Sequence, residues 1–174
     1  MSAEPVAQPL VGFRRWGCQR DGLYSGIFTA GCFLPSPPRW LTVPRATVPM
    51  PWPTDGDRPA KCFASWDHDA PHRSCACGYY AYYALPEEPD LPAPEAVWGA
   101  VVAWGRIVEC EWGFRAQYAR PVALLECPNP LDRRAGRYVA MAADSYGIPL
   151  LDREELTAYA GWHGELSTPA RHAR

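Results

Sequence analysis

The chain of 174 residues has the length of one ordinary domain, and its 48% hydrophobic residues, with eight tryptophans, supply ample material for a core. The formal net charge of −2 and the pI of about 6.1 exclude a bulk electrostatic attraction to nucleic acid or to anionic membranes. No run of about 18 uninterrupted apolar residues is present, so the sequence predicts no membrane span.

The first residues and the cysteine content indicate the cell compartment. MSAEPVAQPLVGF contains neither the basic region nor the apolar stretch of a secretory signal, so we predict a cytoplasmic protein with reduced thiols. The seven cysteines are an odd number and three of them are clustered, which argues against a disulfide framework.

The N-terminal third is predicted to combine short strands with a proline-rich loop. Residues 1–10 form a flexible leader in this prediction, and residues 11–34 form short strands because glycines interrupt their aromatic and β-branched patches. Arg20-Asp21-Gly22 has the composition of a turn. The prolines of residues 35–59 exclude regular helix, and we expect an extended loop there.

Two tryptophans suggest how the proline-rich loop is held. We expect Trp40 and Trp52 to pack it on the core. The alternative is a polyproline ligand for the aromatic groove of a partner protein.

Three cysteines and two histidines lie within 16 residues at the start of the segment CFASWDHDAPHRSCACGYYAYYA, residues 62–84. Thiolate and imidazole are the ligands that zinc prefers, and structural zinc is four-coordinate and tetrahedral. The five candidates for the four positions are Cys62, His68, His72, Cys75 and Cys77. The sequence therefore predicts a zinc-knuckle-like loop with one histidine in excess, and folding that depends on the metal.

Residues around these candidates are expected to support the site. Gly78 can adopt the positive φ that lets the chain leave the metal, and Asp67 and Asp69 can orient a histidine ligand. Four alternatives stay open: a Cys–His catalytic pair, an Fe–S cluster, a zinc hydrolase with an open position, and a cluster without metal.

A central antiparallel hairpin is predicted for residues 97–125, with a turn near Glu111-Trp112-Gly113. Both faces of its first strand are apolar, which predicts a central strand covered on both sides. Gly99 and Gly105 indicate a bulge or a close backbone approach in that strand. In the second strand, aromatic residues alternate with polar ones, which predicts a half-exposed partner.

Aromatic side chains and arginines on this hairpin suggest a contact surface for a partner protein or a small ligand. The predicted contact residues are Trp104, Arg106, Arg115 and Tyr118. In the alternative, the aromatic residues belong to the core and the arginines to a solvated face. Nucleic-acid binding through the same residues is weakened by the acidic pI.

The C-terminal third is predicted to be helical. A first helix begins at Asn129-Pro130 and stops at Gly147, and a second begins at Asp152, which has capping-box spacing to Glu155. Residues 167–174 form a flexible tail. The predicted fold class is α+β: a β-rich single domain over residues 11–166 with a central antiparallel hairpin, a zinc-knuckle-like loop and one or two C-terminal helices.

The order of the motifs resembles a family of small proteins from actinobacterial genomes and their mobile elements. The motifs that carry the resemblance are GFRRW, a lone cysteine, HDAP, CACGYYA, GAVVAWGRIVECEWGFRAQYARPVAL and YGIPLL, over roughly residues 11–150. In that pattern the equivalents of Cys62, His68, Cys75 and Cys77 recur, so the resemblance implies that His68 binds the metal and that His72 is the competing imidazole. The proline-rich insert at 35–59 departs from the family, and the resemblance implies no activity.

The functional prediction is a small cytoplasmic module, stabilised by structural Zn²⁺, that binds a partner protein or a small ligand. We assign no catalytic residue, because no phosphate-binding loop, nucleophile elbow or metalloprotease motif is present. The alternatives are a zinc- or thiolate-dependent hydrolase and a nucleic-acid-binding regulatory protein.

Overall fold

The structure, a computed structural model, describes residues 9–20, 22–25, 50–54, 56, 58–62, 67–87, 96–127 and 133–166. These residues form a β-rich α+β fold with an antiparallel sheet and two C-terminal helices, which confirms the predicted fold class. The elements are β1 (Leu10–Gln19), β2 (Gly22–Ser25), β3 (Met50–Pro51), β4 (Tyr79–Tyr82), β5 (Ala96–Glu109), β6 (Gly113–Leu125), α1 (Arg133–Tyr146), β7 (Leu150–Leu151), α2 (Arg153–Trp162) and β8 (Glu165–Leu166).

Strands β5 and β6 are the predicted central hairpin, and both predicted roles of the glycines in β5 occur. At Gly99 the neighbouring strand comes so close that a Cβ would lie 2.3 Å from the carbonyl oxygen of Ala123. Gly105 has a φ of +79° and lies where the register with β6 shifts after Trp104. The shift is a bulge that bends β5.

The strand pairings form a closed cycle of four strands. β1 pairs with β5, β5 with β6, β6 with β4, and β4 returns to β1 through the pair Tyr82 and Phe13; all four pairings are antiparallel. β2 and β3 extend the sheet beyond β1, whereas β7 and β8 add short parallel pairings to β6 and β1. The cycle places the hairpin and β4 side by side, which determines where the Cys/His segment lies.

Apolar side chains cover both faces of β5, as the sequence predicts. Val101 belongs to a cluster that includes Val139 of α1, and Val102 belongs to a second cluster that includes Leu156 of α2. The two helices therefore pack against the sheet through different clusters. Neither helix in the described part of the chain is long and apolar enough to cross a membrane.

The helix ends follow the sequence signals. α1 ends at Tyr146, after which Gly147 has a φ of +63° and Ile148 donates its N–H to the carbonyl of Ala143 at 3.0 Å, as in a Schellman motif. α2 begins with the predicted capping box between Asp152 and Glu155.

Only part of the proline-rich loop lies within the described residues. Trp52 is buried as predicted, and its ring makes edge contacts with Trp16 at 5.3 Å and Tyr79 at 4.9 Å between centroids. Trp40, the start of the first helix at Asn129-Pro130, and the leader and tail outside 9–166 fall outside the description.

Candidate metal centre

The Cys/His segment, defined here as residues 67–78 together with Cys62, lies directly before β4. Gly78 has a φ of +123°, as expected for a residue where the chain leaves the site, and the strand Tyr79–Tyr82 follows at once. β4 pairs with β6, with Tyr80 opposite Arg115. The Tyr80 hydroxyl donates a hydrogen bond back to the carbonyl of Ala76. The sheet thus fixes the segment against one edge of the central hairpin.

Four ligand atoms converge in this segment: one each from Cys62, His68, Cys75 and Cys77, all within 4.8 Å of one another. The Sγ atoms of Cys62 and Cys75 are 3.6 Å apart, and the Sγ of Cys77 is 3.5 Å from Nε2 of His68. Zn–S bonds of about 2.3 Å and Zn–N bonds of about 2.0–2.1 Å give tetrahedral edges of about 3.8 Å between two sulfurs and about 3.5 Å between sulfur and nitrogen. These two separations are close to the edges expected for one tetrahedral ion.

The two histidines have different surroundings. Nδ1 of His68 lies 2.7 Å from a carboxylate oxygen of Asp67, so the ring can donate its Nδ1–H there and direct Nε2 towards Cys77. His72 is exposed, its Nδ1 lies 2.9 Å from the hydroxyl of Ser74, and its ring packs on that of His68 at 4.6 Å. The structure thus places His68 in the cluster and His72 beside it.

The Cys77 thiol lies in an environment that opposes its ionisation. Burial, with smaller contributions from Cys75 and Cys62, raises the pKa of the Cys77 thiol to about 11. Thiols bind metals as thiolates, so metal binding here releases protons.

Arg115 differs from its predicted role as a contact residue. Its side chain is on the face of β6 that the Cys/His segment covers, and only 6% of the residue is exposed. Its guanidinium Nη1 donates hydrogen bonds to the carbonyls of His72 at 3.0 Å, Cys77 at 3.1 Å and Cys75. The prediction that this part of β6 is half-exposed is therefore wrong, because long-range packing of the segment covers it.

The other three predicted contact residues lie nearer the surface. The rings of Trp104 and Tyr118 stack across the hairpin, with centroids 5.8 Å apart and planes at 10°. Arg106 donates to the carbonyl of Asp69 at 3.3 Å and lies 3.8 Å from its carboxylate, with 34% of the Arg106 side chain exposed. Asp69 therefore links the segment to the hairpin, whereas only Asp67 orients a histidine.

The support of the segment by Arg115 from beneath was not predicted from the sequence. The signal that was available is the position of Arg115 between the apolar strand residues Phe114 and Ala116, both of which are buried. A buried arginine requires several acceptors, and a turning loop with inward carbonyls supplies them.

The fold and the cluster together define a β-rich α+β protein with a possible Cys₃His metal-binding site. No family model, no curated protein and no solved structure matches the chain. The resemblance to the actinobacterial family stays a prediction.

Proposed function

We propose that Cys62, His68, Cys75 and Cys77 bind one structural Zn²⁺ that stabilises a small, non-enzymatic binding module. The observation that carries the proposal is the convergence of three sulfurs and one imidazole nitrogen within 4.8 Å of one another, with the pairs Cys62–Cys75 and Cys77–His68 at separations close to those of a tetrahedral site. The carboxylate of Asp67 adds the outer contact that metal-bound histidines typically make.

The donor atoms favour zinc over the hard cations. Three thiolates and one imidazole suit Zn²⁺, whereas Mg²⁺, Ca²⁺ and Mn²⁺ prefer oxygen ligands. A catalytic zinc site typically has three protein ligands and a water molecule. Four protein ligands complete a tetrahedral shell and leave no position for a reacting water. The ligand count therefore supports a structural role over a hydrolase.

The binding role is assigned to the surface of the central hairpin formed by Trp104, Arg106 and Tyr118. Stacked aromatic rings, with an arginine two residues after Trp104 in β5, can hold a planar or cationic group of a small ligand or an aromatic side chain of a partner protein. The contacts of Arg106 with Asp69 join this surface to the Cys/His segment. In this proposal the metal maintains the conformation of the contact surface. The protein is proposed to be cytoplasmic.

Metal analysis tests the structural site. We expect close to one zinc per chain by inductively coupled plasma mass spectrometry of untagged protein. Cys75→Ser should lose the metal, whereas the matched variant Cys110→Ser should keep it, because Cys110 lies in the hairpin turn outside the cluster. A zinc content near zero in well-folded wild-type protein would refute the proposal.

Charge reversal tests the contact surface. Arg106→Glu reverses the charge two residues after Trp104 in β5, and Arg137→Glu makes the same change at an exposed position of α1. Affinity capture from the source cells, followed by quantitative proteomics and native mass spectrometry, should identify a protein or ligand that Arg137→Glu retains and Arg106→Glu loses. Identical profiles for the two variants would contradict a role of this surface.

A further inference from the structure

We propose that Arg115 is the counter-ion and positioning residue of the metal centre, a role that rests on the proposed zinc site. The guanidinium lies beneath the Cys/His segment and contacts the backbone of two of the four ligand residues, Cys75 and Cys77, and of the neighbouring His72. It belongs to β6, so it connects the ligands to the most extensively paired part of the sheet.

The geometry of the Cys75-Ala76-Cys77 turn explains the need for such a residue. Two sulfurs that are separated by one residue can face the same ion only if the chain turns between them. In this turn the carbonyls of Cys75 and Cys77 converge on Nη1 of Arg115, together with that of His72. Clustered carbonyl oxygens repel one another and, when buried, require donors. The two N–H groups of Nη1 are shared among the three carbonyls, and this cationic donor holds the turn in the form that presents the sulfurs.

The charge of the metal-bound site gives the second reason. Three thiolates, a neutral imidazole and Zn²⁺ add up to a net charge of −1. Arginine stays protonated in proteins, so Arg115 supplies +1 from a position where only 6% of the residue is exposed. Water screens this pair little, because the guanidinium is buried. The guanidinium therefore stabilises the zinc-bound, anionic form of the segment more than a neutral side chain can.

The expected consequence is a loss of zinc affinity in a protein that keeps its ligands. Arg115→Met removes the charge and the donors while keeping an unbranched apolar side chain, and Arg115→Lys keeps the charge. Residues that orient metal ligands from outside the first shell typically change metal affinity about 10–100-fold when mutated. We expect a weakening of this size in Arg115→Met and a smaller one in Arg115→Lys.

A matched control separates this role from the loss of any arginine of the strand. Arg120 also belongs to β6, but its side chain is exposed. We expect Arg120→Met to bind zinc as tightly as wild type. If Arg115 only supported the fold, both Arg115→Met and Arg115→Lys would lower the melting temperature. The zinc affinity of Arg115→Lys would then be no higher than that of Arg115→Met.

The experiment is a competition titration of zinc against a chromophoric chelator for wild type and the three variants, with Co²⁺ absorption spectra to confirm three thiolates and far-UV circular dichroism to confirm folding. The order wild type, Arg115→Lys, Arg115→Met supports the proposal. Wild-type affinity in Arg115→Met, or Arg115→Lys as weak as Arg115→Met, overturns it. If Arg115→Met does not fold, Arg115→Gln, which keeps a donor without the charge, replaces it under the same criteria. Wild-type protein without zinc refutes the proposed function itself.

Discussion

At the scale of single residues, the pairing of His68 with Asp67 determines which imidazole faces the three sulfurs. The carboxylate at 2.7 Å from Nδ1 leaves Nε2 directed towards Cys77, whereas Nδ1 of His72 is close to Ser74 at the surface. Electrostatic attraction of a carboxylate also makes the opposite ring nitrogen a stronger metal ligand. The hydrogen-bond partner of each ring outside the cluster therefore distinguishes the two histidines, in addition to their positions in the sequence.

This assignment predicts an order of effects among three variants. His68→Ala should abolish stoichiometric zinc binding, and Asp67→Asn should weaken zinc affinity about 10–100-fold because the ring loses its carboxylate partner. His72→Ala should leave affinity unchanged. Competition titration with a chelator measures all three, and a loss of zinc in His72→Ala with retention in His68→Ala would reverse the assignment.

The clustering of the four Cys/His side chains could be predicted from the sequence because their chemistry and spacing are local. All four lie within 16 residues, and the resemblance to a recurring pattern distinguished His68 from His72. The position of Arg115 could not be predicted in this way. It is 38 residues beyond Cys77, and its hydrogen bonds depend on the pairing of β4 with β6, which no local pattern specifies.

At the scale of elements, the junction between the Cys/His segment and β4 depends on Gly78. Its φ of +123° is rarely adopted by residues with a side chain, and a Cβ there would lie 3.0 Å from Cβ of Pro71 and 3.1 Å from Cβ of Arg115. Pro71 is itself fully buried. A side chain at position 78 would therefore strain the backbone and push the segment away from β6.

Gly78→Ala should consequently lower both stability and metal affinity. We expect a loss of about 1–3 kcal/mol in the free energy of unfolding, the usual cost of an unfavourable backbone conformation, together with weaker zinc binding. Gly147→Ala is the control: Gly147 also has a positive φ, but among the residues that the structure describes no atom lies within 4 Å of the added methyl group, and the residue is at the end of α1. Urea unfolding and zinc titration should show that only Gly78→Ala affects the metal.

Elements with local signals were predicted well from the sequence. The capping box at Asp152, the stop at Gly147 and the bulge at Gly105 follow from residue types at fixed spacing. The closure of the sheet was not predicted, since the pairing of Phe13 with Tyr82 joins positions that are far apart in the chain. Alternation in a single strand shows which face is apolar, but not which segment covers the other face.

At the scale of the whole molecule, the candidate metal centre lies outside both hydrophobic clusters. Neither cluster contains any of the four ligand residues, and the clusters together join the sheet to α1 and α2. Folding that depends wholly on metal is typical of small zinc domains without such a core. Because the sheet has its own apolar core, we expect any dependence on the proposed metal to be limited to the Cys/His segment.

Metal removal should therefore have a local effect on structure and a general effect on stability. A ligand that binds only the native state stabilises it, so chelation should lower the melting temperature. We expect far-UV circular dichroism to change little, and loss of protection in hydrogen exchange to concentrate in residues 67–78 rather than in β5 and β6. Global unfolding on chelation at room temperature would show that the sheet depends on the metal.

The most direct test of the structural zinc site is X-ray absorption at the zinc edge of the purified, untagged protein. We expect a first shell of three sulfurs at about 2.3 Å and one nitrogen at about 2.0–2.1 Å, with no further ligand. This result would require the four side chains that converge in the structure. A shell that includes a water oxygen in place of one protein ligand, or a folded protein that contains no zinc, would contradict a closed structural centre.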